Sequence, residues 1–318
     1  MVCSYYSFAL LVSTITNRDY IKIIIKVILL IGLLNVIYGI FQIGFIKLDF
    51  LPINDKWKYA KGFLGNSMNY ALLMSLCYFI SIGILLENKT INISIKLLLL
   101  FVYTIGLIIS GSMSVIVTMF LLLFIIFVFK MKSAFDKKYI FKIIGIVFTF
   151  IIITSLFIIN NKIFRRDINE LFSEISYILN NKSLLSSFGT GRVYIWENAI
   201  TKSCENLIFG VGTDNFFNAF NPVLIDQISG FAVDKAHNDY LQRLVCEGVF
   251  SLSAYLVFIM GIIYRNYKKK DSIIKILLLG FLGYIVCISF NISVIRVAPL
   301  FWIVVGILMG NIKEESKS

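Results

Sequence analysis

The residues of this chain that could do chemistry are concentrated between positions 189 and 248, within its longest polar interval. This interval contains the only histidine of the protein, His237, beside Asn238 at the predicted outer end of a span. An imidazole has an unperturbed pKa of about 6.5, so it can accept a proton from a hydroxyl group near neutral pH. A surface histidine that caps a helix is the alternative, but the surrounding pattern favours catalysis.

Arg192 is the second candidate for a catalytic role. A guanidinium presents a fixed fork of N–H donors that fits the oxygens of a phosphate group. The alternative is an interfacial arginine that binds lipid headgroups. The two interpretations differ in whether the planar fork is needed or only the positive charge.

Glu247 lies in the seventh predicted span, where a carboxylate is costly unless it is paired or functional. Its candidate partners are Arg243, one helical turn earlier, and Arg296, near the outer end of the last span. Arg296 could instead extend toward the outer headgroups.

Trp196 and Tyr240 could stack on sugar rings, or they could belong to the interfacial aromatic belt. The Gly210-Val211-Gly212 sequence lacks the strand that precedes a nucleotide-binding fingerprint, so it predicts a tight turn.

The composition predicts an all-α polytopic membrane protein that forms a single integral membrane domain over residues 1–318. Hydrophobic residues make up 58% of the chain, and the mean hydropathy is +0.87, far above the soluble norm. The net charge of +12 is explained by lysine-rich cytoplasmic loops, which argues against nucleic-acid binding. The five cysteines form no C-x-x-C pair, so we expect neither a disulfide framework nor a metal site, and no cofactor.

Nine membrane spans are predicted, together with one large extracytoplasmic loop over residues 161–240. Lysine-rich intervals at 130–142 and 265–275 each lie one span away from this loop. By the positive-inside rule both intervals are cytoplasmic, which places the loop outside the cytoplasmic membrane. The predicted spans are residues 1–16, 23–46, 68–86, 95–110, 113–129, 140–160, 241–264, 274–290 and 294–310.

Within the loop, residues 163–179 have the periodicity of an amphipathic helix, which would lie at the outer surface or cap a cavity. Residues 192–206 predict a second helix, and residues 210–215 predict a turn.

The polar motifs together resemble those of the O-antigen ligase and polymerase family of membrane glycosyltransferases, from about residue 188 to 265. A second element, Lys61-Gly62-Phe63-x-Gly65-Asn66, resembles an outer loop of the same family. The motifs that carry the resemblance are Arg192-x-x-x-Trp196, Gly210-x-Gly212-x-x-Asn215-Phe216, Ala236-His237-Asn238-x-Tyr240-Leu241-Gln242 and Glu247-Gly248.

The resemblance implies a metal-independent, inverting transfer of a glycan from a polyprenyl-pyrophosphate donor to a glycan or lipid acceptor at the outer face. His237 would be the base or would orient the acceptor, and Arg192 would bind the pyrophosphate and stabilise the departing charge. Lys61 stands where the family often has arginine. The remaining predicted substrate-binding residues are Trp196, Asn238, Tyr240 and Glu247.

The sequence departs from the family pattern at Met113, where the family commonly has an arginine that helps to hold pyrophosphate. We take a polysaccharide polymerase as the first hypothesis and a ligase as the second, in capsule, exopolysaccharide or O-antigen assembly. A lipid-linked sugar flippase is a rival, but it predicts charges spread through the spans and pseudo-symmetric halves. An inactive scaffold that binds other polysaccharide-assembly proteins is a third hypothesis, favoured by Met113.

Overall fold

The computed structural model describes residues 2–44, 59–112, 118–120, 122, 137–160, 162–181, 191–219 and 233–312. Every regular element in these ranges is a helix, which confirms the predicted all-α class. The helices are α1 Val2–Ser13, α2 Arg18–Gln42, α3 Ser67–Glu87, α4 Ile93–Ile109, α5 Lys137–Asn160, α6 Lys162–Asn181, α7 Arg192–Ser203, α8 Phe216–Ala219, α9 Asp239–Asn266, α10 Ser272–Cys287 and α11 Ala298–Met309. Short 3₁₀ turns cover Gly62–Leu64, Cys204–Asn206 and Ile288–Phe290.

Within the described ranges, four helices are long and apolar enough to cross a membrane. They are α2, α3, α9 and the segment Ser272–Phe290, which comprises α10 and the 3₁₀ turn after it. Three further apolar stretches are shorter: Ile93–Ile109, Ala298–Met309 and Ile144–Ser155, the last of which lies within the 24-residue α5. Helices occur in eight of the predicted spans, whereas most of the span 113–129 lies outside the described residues, and the count of nine stays a prediction.

Asparagines begin three of the apolar helices. The first backbone N–H groups of a helix have no partner inside it, and an asparagine side chain can accept a hydrogen bond from one of them. Asn17 accepts from the Asp19 N–H at 2.8 Å, Asn66 from the Met68 N–H at 2.8 Å, and Asn92 from the Ser94 N–H at 3.0 Å. These caps determine where α2, α3 and α4 begin.

Backbone contacts divide the chain into two compact units. The first unit comprises Met1–Leu156, Ile262–Cys287 and Ser293–Ser318, and its centre is α3, which is buried along nearly its whole length. Gly83 and Gly283 let α3 and α10 pack closely, because an added Cβ would lie 2.7 Å from Ile276 Cα or 2.1 Å from Phe79 Cδ2. Small residues at such crossings are typical of membrane helices.

The second unit comprises Phe157–Gly261 and Ile288–Ile292. The predicted amphipathic helix is present as α6, with Phe172 and Ile175 exposed on its surface. The predicted helix at 192–206 is present as α7 and the 3₁₀ turn that follows it. An apolar cluster joins α7 to α9 and to the segments between them; its buried members are Ile195, Ala199, Phe216, Ala236, Val245 and Cys246.

The helix α9 is broken at Gly248, where φ is 80° and ψ is 177°. The predicted span over 241–264 lies within this helix, which is long and apolar enough to cross a membrane, and the break at Gly248 is a feature that the sequence analysis did not predict. The backbone of 207–212 lies against the break: the Val249 N–H donates to the Leu207 carbonyl at 2.8 Å, and the Val211 N–H donates to the Val245 carbonyl at 2.9 Å. The interrupted helix thus regains hydrogen-bond partners from the protein, as irregular backbone at membrane depth requires.

Glycines make this approach of two backbones possible. Gly210 has a φ of +68°, and a Cβ on it would lie 2.4 Å from the Cys246 carbonyl carbon. A Cβ on Gly248 would lie 2.1 Å from the Ile208 carbonyl oxygen. The predicted turn at 210–215 is therefore present, and it also supports the broken helix.

Candidate active site

His237 lies on a sharp turn directly before α9, with a φ of +50° that residues with a Cβ rarely adopt. The residue before it, Ala236, is fixed from two sides. Its N–H donates to Gln242 Oε1 at 2.9 Å, and its carbonyl accepts from Trp196 Nε1 at 2.9 Å. A strained backbone persists only where its surroundings hold it, and such positions are frequent at functional sites.

Asn238 completes this turn as the cap of α9. Its side-chain oxygen accepts from the backbone N–H groups of Tyr240 at 3.0 Å and Leu241 at 3.1 Å. The side-chain oxygen predicted to contact substrate thus serves the helix start, while the Asn238 amide nitrogen remains a possible donor. Binding of substrate by Asn238 stays a prediction.

The pKa of His237 is lowered from its ordinary value, first because burial disfavours the charged ring. The positive charges of Arg192 and Lys235 lower it further, and Asp234 opposes them. The ring is therefore neutral at pH 7, which is the form that can accept a proton. Among the described residues, no side-chain hydrogen bond engages the His237 ring.

Arg192 is the first residue of α7, directly after Gly191, which has a φ of +78° and no side chain to cap the helix. The guanidinium is partly buried, and its Nη1 donates to the Phe290 carbonyl at 3.1 Å. A cation at the start of a helix adds to the positive end of the helix dipole, and this combination favours an anion. Whether this guanidinium binds a donor phosphate or a lipid headgroup stays a prediction.

Trp196 lies one turn further along α7 and is committed to the turn that carries His237. Besides its hydrogen bond to the Ala236 carbonyl, its ring packs on Phe290 with centroids 6.0 Å apart. These contacts assign Trp196 a structural role at the site, and its stacking on a sugar stays a prediction.

The predicted pairing of Glu247 with Arg243 is confirmed, with Nη1 and Oε2 3.3 Å apart. Arg243 also donates from Nε to Asp239 at 3.1 Å, and its Cζ lies 4.1 Å from the centre of the Tyr255 ring. The side chains of Arg243, Asp239 and Glu247 are only 15%, 6% and 20% exposed. The sequence analysis did not predict Asp239 and Tyr255 as members of this cluster. A usable signal was present, because Asp239 lies four residues before Arg243 and Tyr255 lies four residues after Ser251.

Tyr240 lies beside this cluster, half-buried, with its ring centre 6.1 Å from that of Tyr255. Its ring is thus packed in the second unit one helical turn after the His237 turn. Contact between Tyr240 and a sugar remains a prediction.

Lys61 belongs to the first unit, where it precedes the 3₁₀ turn Gly62–Leu64. Two polar residues in the apolar part of α2, after Lys26, hold this turn. Gln42 Oε1 accepts from the N–H groups of Lys61 at 2.9 Å and Gly62 at 2.8 Å, and Asn35 accepts from the Phe63 N–H at 3.0 Å. Sequence reasoning missed Asn35 and Gln42, whose signal was their polarity within an apolar helix.

Arg296 also belongs to the first unit and donates to the Leu64 carbonyl at the end of the same turn. Glu247, in the second unit, is bound by Arg243 and by Ser251 Oγ at 2.7 Å, and its alternative pairing with Arg296 stays a prediction. Met113 lies outside the described residues. Among those residues no group of three His, Cys, Asp or Glu side chains could hold a metal ion.

The fold and this site define a helical membrane protein with a neutral histidine and an arginine on one polar segment. A sequence model of the family described as O-antigen ligase matches residues 98–256, half of the 318-residue chain. The protein therefore belongs to the O-antigen ligase family. The matched range includes His237, Arg192 and Glu247, whereas Lys61 lies before it. No curated protein matches the chain with significant similarity.

Proposed function

We propose that this protein is a glycosyltransferase that extends or attaches a polysaccharide at the outer face of the cytoplasmic membrane. The donor is an oligosaccharide on polyprenyl pyrophosphate, and the acceptor is a hydroxyl group of a glycan or of a glycolipid. Family membership supports a membrane function of O-antigen ligase or polymerase type and a lipid-linked donor. Polymerisation is the first form of the proposal, and ligation is the second.

The observation that carries the proposal is the His237 turn. Three side chains, Trp196, Gln242 and Asn238, hold the backbone around His237, while burial and Arg192 keep its ring neutral. A neutral imidazole can take the proton of the acceptor hydroxyl as that oxygen attacks the anomeric carbon. The bond from this carbon to the pyrophosphate oxygen breaks on the opposite face, which inverts the configuration.

Arg192 supplies the complementary charge in this proposal. Negative charge grows on the pyrophosphate as it leaves, and a fixed guanidinium at the start of α7 stabilises that charge without needing to reorganise. By resemblance, Lys61 is a further cation for the donor, and Tyr240, Asn238 and Trp196 contribute to the glycan site. The proposed mechanism uses no metal ion and no cofactor.

The test is transfer in vitro from a synthetic polyprenyl-pyrophosphate oligosaccharide by purified protein in lipid. We expect His237→Ala to lower the rate by about 10²–10⁴-fold, the usual contribution of a general base, while the protein still accumulates in the membrane. We also expect full activity after treatment with a chelator. Transfer at the wild-type rate by His237→Ala would return this residue to a structural role.

The rival functions give different results in the same assay. A flippase moves the lipid-linked glycan across vesicles without forming a new glycosidic bond. A scaffold without activity, the hypothesis motivated by Met113, forms no bond in vitro, yet its deletion still impairs assembly of the polymer in cells.

A further inference from the structure

Five side chains recur at every fourth position of α9: Asp239, Arg243, Glu247, Ser251 and Tyr255, which we call the α9 stripe. Residues four apart lie on one face of an unbroken helix, as Asp239, Arg243 and Glu247 do before the break at Gly248. Each neighbouring pair in the first three steps of the stripe is in contact: Arg243 with Asp239, Arg243 with Glu247, and Ser251 Oγ with Glu247 Oε2 at 2.7 Å. The guanidinium of Arg243 also reaches the ring of Tyr255.

The α9 stripe crosses the break at Gly248. The backbone is not helical there, and the Val249 N–H donates to Leu207 instead of a carbonyl of α9. Two contacts of the α9 stripe nonetheless pass from one side of the break to the other: Ser251 to Glu247, and Arg243 to Tyr255. Side chains therefore join the two halves of α9 across the residue at which its backbone is not helical.

The first half of α9 is in turn fastened to the turn that carries His237. Asn238 caps its first residues, and Gln242, within this half, holds the Ala236 N–H. Any rotation of the first half relative to the second would displace the His237 turn with it.

We propose that Arg243 and Glu247 are positioning residues: through the α9 stripe they hold the first half of α9, and with it His237, in the place that the transfer requires. This inference rests on the proposed function for its catalytic consequence. Its physical basis is that a hydrogen-bonded ion pair with little exposure to water is fixed in geometry. Glu247 in this role does not touch the substrate.

A positioning role for Glu247 can be distinguished from direct binding of the substrate by its carboxylate. The charged groups that shift the pKa of His237 are Arg192, Asp234 and Lys235, which lie outside the α9 stripe. If Glu247 is a positioning residue, replacing it with glutamine displaces His237 and so changes the surroundings of the His237 ring. If Glu247 instead binds the sugar, the same replacement leaves His237 unchanged in the protein without substrate.

The chain contains a single histidine, so protein with isotope-labelled histidine gives NMR signals from His237 alone. We would compare Glu247→Gln with wild type in lipid nanodiscs, measuring the ring signals through a pH titration together with kcat and KM for the synthetic donor. We expect shifted or broadened ring signals and a kcat lower on the order of 10²-fold, as a misplacement of about 1 Å can cause. The KM should stay within about twofold, since the lost interaction acts on turnover.

Glu205→Gln is the matched control, because Glu205 pairs with Lys202 in the same unit but is 58% exposed and lies outside the α9 stripe. It should leave the histidine signals and kcat unchanged. Tyr255→Leu is the second variant, since it removes the stacked ring without leaving an unpaired charge, and it should act in the same direction as Glu247→Gln.

An unchanged histidine signal with a raised KM in Glu247→Gln would overturn the inference and make Glu247 a substrate ligand. Wild-type behaviour of both variants would also overturn it. If the wild type forms no glycosidic bond, the proposed function fails, whereas the histidine signals still decide whether the α9 stripe positions His237.

Discussion

At the scale of single residues, the candidate site depends on His237 being neutral. Burial and the charge of Arg192 both lower its pKa, so the neutral ring persists to a lower pH than for an exposed histidine. A base must be neutral to work, and the rate on the acid side therefore falls only when the pH drops through this lowered pKa.

Arg192→Gln is expected to shift the acid side of the pH–rate profile to higher pH. Removing the positive charge lets His237 take up a proton more easily, which raises its pKa toward the ordinary value. The measurement is kcat/KM against pH, which reports the groups of the free enzyme. If the fall in kcat/KM at acid pH occurs at the same pH in Arg192→Gln as in wild type, then His237 is not the base or Arg192 does not affect its pKa.

Arg192→Lys tests the role of the guanidinium itself. Lysine keeps the charge but loses the planar fork and the reach to the Phe290 carbonyl, so we expect a clear loss of transfer. The rate is measured against donor concentration at matched protein levels. A defect in KM alone would place Arg192 on the bound donor, and a defect in kcat would assign it to the departing charge. Equal rates for the two proteins would remove it from the site.

At the scale of elements, the broken helix α9 is what brings the polar segments together. The segment 207–212 supplies hydrogen bonds that the break leaves open, and the glycines at 210 and 248 leave room for its backbone. The break thus fastens the α7 region to α9.

Gly248→Ala is expected to destabilise the second unit strongly and to abolish transfer. Alanine is disfavoured at a φ of +80°, and its Cβ would lie 2.1 Å from the Ile208 carbonyl oxygen. Gly261→Ala is the control on the same helix, because nothing lies within 4 Å of a Cβ there. The readouts are thermal unfolding in lipid and transfer rate. Equal stability of the two variants would mean that the backbone at 248 is not held in this conformation.

At the scale of the whole molecule, the prediction that matters most is the side on which residues 161–240 lie. Cys204 is exposed in the structure, so it can report this side on a background in which the other four cysteines are replaced. We expect an impermeant thiol reagent to label it in intact cells. Lys270→Cys, in the predicted cytoplasmic interval, should label only after the membrane is opened. The reverse pattern would contradict the topology and, with it, catalysis at the outer face.

The sequence alone was sufficient for features that depend on neighbours along the chain. Hydropathy predicted the helical membrane class, periodicity predicted α6, and the glycine turn at 189–191 predicted that α7 follows it. The four-residue spacing made Arg243 one of two candidate partners for Glu247. These follow from helix geometry, in which residues i and i+4 meet whatever the rest of the fold does. The motif around His237 identified the family.

Only the tertiary structure decided how those pieces are held. The bond from Trp196 to the Ala236 carbonyl joins residues 40 positions apart, and the support of the Lys61 turn by Gln42 joins residues 19 positions apart. The break at Gly248 is stable because a distant segment supplies its missing hydrogen bonds. Which buried polar group finds which partner depends on the packing of distant segments, and no local periodicity encodes it.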